Sequence, residues 1–99
     1  MVDALPETVI RVAQELHLPI EGLMTRSLRA FLMQEMRSAQ MDIGDLQDRD
    51  GVVDTAELRD RIERQEISSH PAWEDAMEWE HLEAYLARVQ DLLNEISDV

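Results

Sequence analysis

The chain is predicted to be an all-α protein: a helical hairpin of two long helices with short flanking helices, dimerising into a four-helix-bundle-like or coiled-coil core. Three observations carry this. Trp79, Leu82, Leu86, Val89, Leu93 and Ile96 step by alternating threes and fours, the spacing of a helix that lies along another helix. Leu32, Met36, Ala39, Ile43 and Leu46 set up the same rhythm upstream. Only three Gly and three Pro occur in 99 residues, so little interrupts either stripe.

The elements follow in order as one helical domain over residues 1–99. Residues 1–5 read as a loose lead. Pro6 suits a first helical position and Glu7 the positive end of the helix dipole, while Val9, Ile10, Ala13 and Leu16 form an apolar stripe, giving a first helix over 6–17. Pro19 forces a break at Leu18. A long second helix over 20–49 follows and ends before Gly51. Its first half carries Leu23, Met24, Leu28, Ala30, Phe31, Leu32 and Met33, apolar on more than one face, so it needs cover from the first helix and from another chain. Gly44 is its weak point, costing about 0.8 to 1.0 kcal/mol relative to Ala in a continuous helix. Asp54 and Glu57 are spaced as an N-cap and its reciprocal partner, opening a short third helix over 55–66. Pro71 opens the fourth helix, over 71–97. The two long helices pair antiparallel, and a second copy covers what they leave exposed. The seam residues are Phe31, Leu32, Met36, Ile43, Leu82, Leu86, Val89 and Leu93.

Charge bounds the function. All nine cations are Arg, set against 22 Asp and Glu. Residues 1–49 carry net −3 and residues 50–99 net −10, so the C-terminal half repels nucleic acid and complements a basic protein, or simply keeps the chain soluble. With no cysteine, disulfides and thiolate metal sites are excluded. No signal-peptide core or 18-residue apolar run occurs, so a soluble, cytoplasmic protein with no membrane partner is expected.

Motifs that resemble chemistry have plainer readings. Asp48, Asp50, Gly51, Val53, Asp54 and Glu57 fall on places of a calcium-binding EF-hand loop, but Leu46 stands where the leading carboxylate belongs. A helix end, a Gly turn and an Asp cap explain them without metal. Glu78 and His81 have the spacing of di-iron bundles, with Glu74 one turn earlier, yet the second helix offers only Glu35 as a further inward ligand. His17 and His70 sit at helix boundaries. No nucleophile with a base and no phosphate loop can be assembled, so neither an enzyme nor a cofactor is expected. Trp73 and Trp79 are six residues apart and face different ways, one suited to the core and the other to an interface. A ribbon-helix-helix DNA-binding fold would need a basic strand where MVDAL stands, so DNA binding by the chain alone is not expected.

LPIEGLMTRSLRAFLMQEMR and HPAWEDAMEWEHLE, with the Gly-Val turn between them, resemble segments of small helical prokaryotic antitoxins of type II toxin-antitoxin pairs. The resemblance spans about Leu18 to Leu93. It implies a protein that binds and silences a basic toxin encoded beside it, often a small ribonuclease or a nucleotide-transferring enzyme. On that reading the acidic half covers a basic groove, with Trp73, Met77 and Trp79 as apolar anchors and Glu74 and Glu78 beside them. A structural homodimerisation module and a metal-binding four-helix bundle are the alternatives.

Overall fold

A computed structural model describes residues 5–97 and contains four helices: α1 (Glu7–Glu15), α2 (Ile20–Asp50), α3 (Thr55–Glu63) and α4 (Ser69–Ser97). Of the expected lead, residues 1–5, all but Leu5 lie outside the described residues. No strand occurs among the described residues. None of the helices is long and apolar enough to cross a membrane.

Three helices end on one local geometry, α2 before Gly51 as expected and α1 and α3 earlier than expected. His17, Gly51 and Gln65 adopt left-handed backbone, with φ of 56°, 66° and 62°. After each, the next amide turns back to the helix: Leu18 N–H donates to the Ala13 carbonyl, Val52 to Gln47 and Glu66 to Arg61. These are Schellman endings. The one at Gln65 stops α3 at Glu63, short of the expected residue 66. The one at His17 stops α1 at Glu15 instead of residue 17. At the other end of α1, Pro6 is the N-cap and Glu7 the first helical residue. α3 opens as expected. Asp54 Oδ1 accepts from Glu57 N–H at 2.8 Å, and Glu57 Oε1 accepts from Val53 N–H at 2.8 Å, the reciprocal pairing of a capping box. In α4, His70 is non-helical, so the continuous helix runs from Pro71.

α2 and α4 form an antiparallel hairpin whose apolar stripes meet within one chain. At the closed end, Leu46, Val52, Leu58, Ile62, Ala72, Ala76 and Trp79 make one buried cluster, flanked by Ile43, Ile67 and Leu82. Ala72 and Ala76 carry nothing beyond Cβ, which lets α3 lie close against α4. At the open end, Leu32, Val89 and Leu93 form a second cluster with Met36, Tyr85 and Ile96 beside it. Burial of each large apolar side chain in these clusters is worth about 1.5–3 kcal/mol. Leu86 is half-buried. Phe31 departs from the expected seam: it is 58% exposed, because it precedes its seam neighbour Leu32 around the helix by about 100°.

α1 folds back on the start of α2, with Ala13 buried between them. The molecule is a rod, measuring 60 × 27 × 24 Å with a radius of gyration of 19.8 Å. A compact domain of 100 residues has a radius of about 13 Å. Much of each helix is therefore surface.

Candidate interaction surfaces

The closed end is laced by polar contacts. Arg49, in the last turn of α2, donates to both carboxylate oxygens of Asp75, Nε to Oδ2 at 3.1 Å and Nη2 to Oδ1 at 2.8 Å. Asp75 is 6% exposed, so this fork supplies its charge-assisted hydrogen bonds across the hairpin. Asp50 sits beside the pair, its Oδ2 buried without a partner. Burial and the neighbouring Asp75 carboxylate push its pKa up to about 6, against a smaller opposing pull from Arg49.

This geometry gives the EF-hand-like residues other contacts. Asp54 and Glu57 are committed to backbone amides, Leu46 is 1% exposed in the core, and Asp50 turns toward Asp75. Among the described residues no three His, Asp or Glu side chains converge as metal ligands would. Glu78 and His81 are exposed. Glu35 is engaged by the Tyr85 hydroxyl, which donates to its Oε1, and that bond raises the phenol pKa. The E-x-x-H pair is thus not joined by a facing carboxylate.

The expected partner-binding residues separate into two groups. Trp79 is 1% exposed in the closed-end core, which corrects its assignment as a partner anchor: the indole fills the angle between α2, α3 and α4. Trp73 and Met77 are 37% and 56% exposed, one turn apart on the outside of α4. The Arg59 guanidinium lies 4.9 Å from the Trp73 ring centroid and also donates to Glu80 Oε2, from Nε at 2.9 Å and Nη2 at 2.6 Å. Glu74 is within 3.2 Å of His70 Nδ1, and Glu78 is exposed.

The open end has a different character. Thr8, Val9 and Val12 of α1 and Leu23, Met24, Ser27 and Leu28 of α2 line an open, mainly apolar groove of about 380 Å³. Leu16, Leu28 and Phe31 are 62%, 52% and 58% exposed. On another side of α2, Arg26, Arg29 and Arg37 wall a shallow groove floored by Ala30 and Met33. Among the described residues none of these three Arg makes an ion pair, whereas Arg49, Arg59, Arg61 and Arg64 all do. Sequence reasoning did not single out this row, although its spacing of 3, 4 and 4 through Arg26, Arg29, Met33 and Arg37 marks one helix face.

The chain matches the family model of the Uncharacterized protein MJ0235 family over residues 1–98, and it belongs to that family. No curated protein and no solved structure matches it.

Proposed function

We propose that this MJ0235-family chain is a non-catalytic protein-interaction module: the α2–α4 hairpin is the scaffold, and the open end is where another polypeptide packs, first of all a second copy. The observation that carries the reading is the apolar surface left there. Val12, Leu16, Met24, Leu28, Phe31 and Met33, all within α1, its exit turn and the first half of α2, are 37% to 62% exposed. Grouped apolar exposure of this kind marks interaction surfaces on soluble proteins, and a rod with so little interior gains stability by association. Light scattering coupled to gel filtration tests it. The expected mass is twice the 11.5 kDa chain. Leu28→Asp with Phe31→Asp should return the monomer with helicity kept, since both side chains lie outside the core. A wild-type monomer at micromolar concentration argues against self-association.

An antitoxin role is the second reading, supported by the exposure of Trp73 and Met77 on the acidic start of α4, within the segment that resembles antitoxins. A basic partner protein would be steered by the charge and held by these two side chains. Co-expression decides. Growth arrest by the neighbouring gene product, relieved by this chain and less well by Trp73→Ala, supports it. A harmless neighbour that does not associate refutes it.

A further inference from the structure

We propose that the Arg26, Arg29 and Arg37 face of α2 is a docking surface for an acidic amphipathic helix of a different protein. The inference is independent of self-association, whose exposed Leu28 and Phe31 lie on another side of α2.

The face runs against the character of a chain of net charge −13. Residues 22–41 hold three Arg and a single acid, Glu35, and Glu35 is engaged by the Tyr85 hydroxyl of α4. No Asp or Glu stands three or four residues from Arg26, Arg29 or Arg37, the spacing at which helical ion pairs form. α3 uses that spacing twice, pairing Arg61 with Glu57 and Arg64 with Asp60. The three Arg of α2 are exposed and make no ion pair among the described residues. Arg26 and Arg29 instead stand one turn apart, where like charges repel. An anionic partner relieves that repulsion.

The groove between the three selects the kind of anion. Ala30 and Met33 form its floor, Met33 being 40% exposed, and neither an acidic nor an aromatic side chain lines it. Without a ring, nucleic-acid bases have no platform to stack on. Arg26 to Arg37 spans about 16 Å of helix axis. Asp48 follows eleven residues beyond Arg37, which returns it to nearly the same side of α2, so a phosphate chain extending along the rod would pass from cation to acid. A helix of three or four turns matches the row in length. Its Glu or Asp side chains can accept paired hydrogen bonds from the guanidinium forks, while an apolar side chain between them packs on Ala30 and the adaptable Met33 thioether.

The probe is a blocked, fluorescently labelled helical peptide with Glu on one face either side of a central Leu, and Ala elsewhere. Fluorescence anisotropy with the full chain at low salt measures its binding. The wild type should bind it, and a chain carrying Arg26→Ala, Arg29→Ala and Arg37→Ala should bind at least roughly tenfold more weakly, with unchanged helicity and unchanged mass by light scattering. The same peptide with Gln in place of Glu should lose affinity for the wild type by a similar factor. No saturable binding of the Glu peptide overturns the proposal, as does equal binding by the triple variant. An oligothymidylate that binds the wild type more tightly than the peptide, and loses that affinity in the triple variant, also overturns it and makes the face a nucleic-acid site. A wild-type monomer that binds the peptide supports this surface while removing self-association. A dimer that the triple variant loses overturns the proposal, because the row then belongs to the contact between copies.

Discussion

Replacing each tryptophan by alanine separates core from surface. Trp79 is 1% exposed and Trp73 is 37% exposed. Truncating a buried Trp removes its transfer energy and leaves a cavity that the surroundings fill only in part, costing about 3–5 kcal/mol. The cavity at Trp79 would open where α2, α3 and α4 meet, between Leu46, Leu58 and Ala76, so three elements lose contact together. Trp73 loses chiefly the Arg59 guanidinium 4.9 Å from its ring, worth about 0.5–1 kcal/mol at an exposed site. For a domain of this size each kcal/mol moves the melting temperature by about 4–8 °C, so Trp79→Ala should lower it by roughly 12–40 °C and Trp73→Ala by less than about 8 °C. Circular dichroism at 222 nm follows the melt, at one fixed chain concentration because association shifts the midpoint. Urea titration with the remaining indole as a fluorescent probe gives the free energy. Equal losses from the two substitutions, or a Trp79→Ala melt within a few degrees of wild type, would refute the closed-end core as described.

Asp50 makes stability depend on pH. Its folded pKa of about 6 exceeds the ordinary 3.8, so the folded chain binds more protons between those values and this group's contribution falls as pH rises through that window, levelling above it. Urea midpoints measured from pH 4 to 7 should therefore decline more steeply in wild type than in Asp50→Asn, and parallel profiles would contradict the assignment. A Cβ added at Gly44 would meet nothing within 4 Å, so Gly44→Ala should stabilise by about 0.8–1.0 kcal/mol. Gly51 has φ of +66°, so Gly51→Ala should cost about 1–2 kcal/mol; denaturation midpoints moving the same way for both would be inconsistent with these helix assignments. Calorimetry with calcium should show nothing tighter than about 10⁻⁴ M, while Asp54→Ala costs about 1 kcal/mol with or without the ion. Micromolar calcium affinity lost in Glu57→Gln would show that the turn is a cation site after all.

The features legible in the sequence are those written in local spacing. The stripes through Leu32 to Leu46 and Trp79 to Ile96 imply a helical pair, and Asp54 with Glu57 announces the start of α3 because a capping box needs only neighbours in the chain. The end of α3 is not written that way. Gln65 takes left-handed backbone without the Gly or Asn that normally signals it, and His17 does the same after α1. Six-residue spacing puts Trp73 and Trp79 on different faces, but which one enters the core depends on where α3 docks. Asp75 looks like one more solvated acid in a charged helix. Its burial depends on Arg49, 26 residues upstream, and no local pattern reports such a pairing.

The division of ion pairs between the two ends ties fold to function. Arg49, Arg59, Arg61 and Arg64 each have an acidic partner at the closed end, where α3 brings opposite charges together. Arg11, Arg26, Arg29 and Arg37 have none among the described residues, and they share the open end with the exposed Leu16, Leu28 and Phe31. Surface ion pairs are worth at most about 1 kcal/mol each, so unpaired Arg side chains do not destabilise the fold. A cationic row on a strongly anionic rod would orient an approaching acidic surface before contact, whereas the exposed Leu28 and Phe31 lie on another side of α2. At the closed end each of Arg49, Arg59, Arg61 and Arg64 thus has an acidic partner, whereas the open end keeps unpaired Arg and exposed apolar side chains, the latter being the surface on which the self-association reading rests.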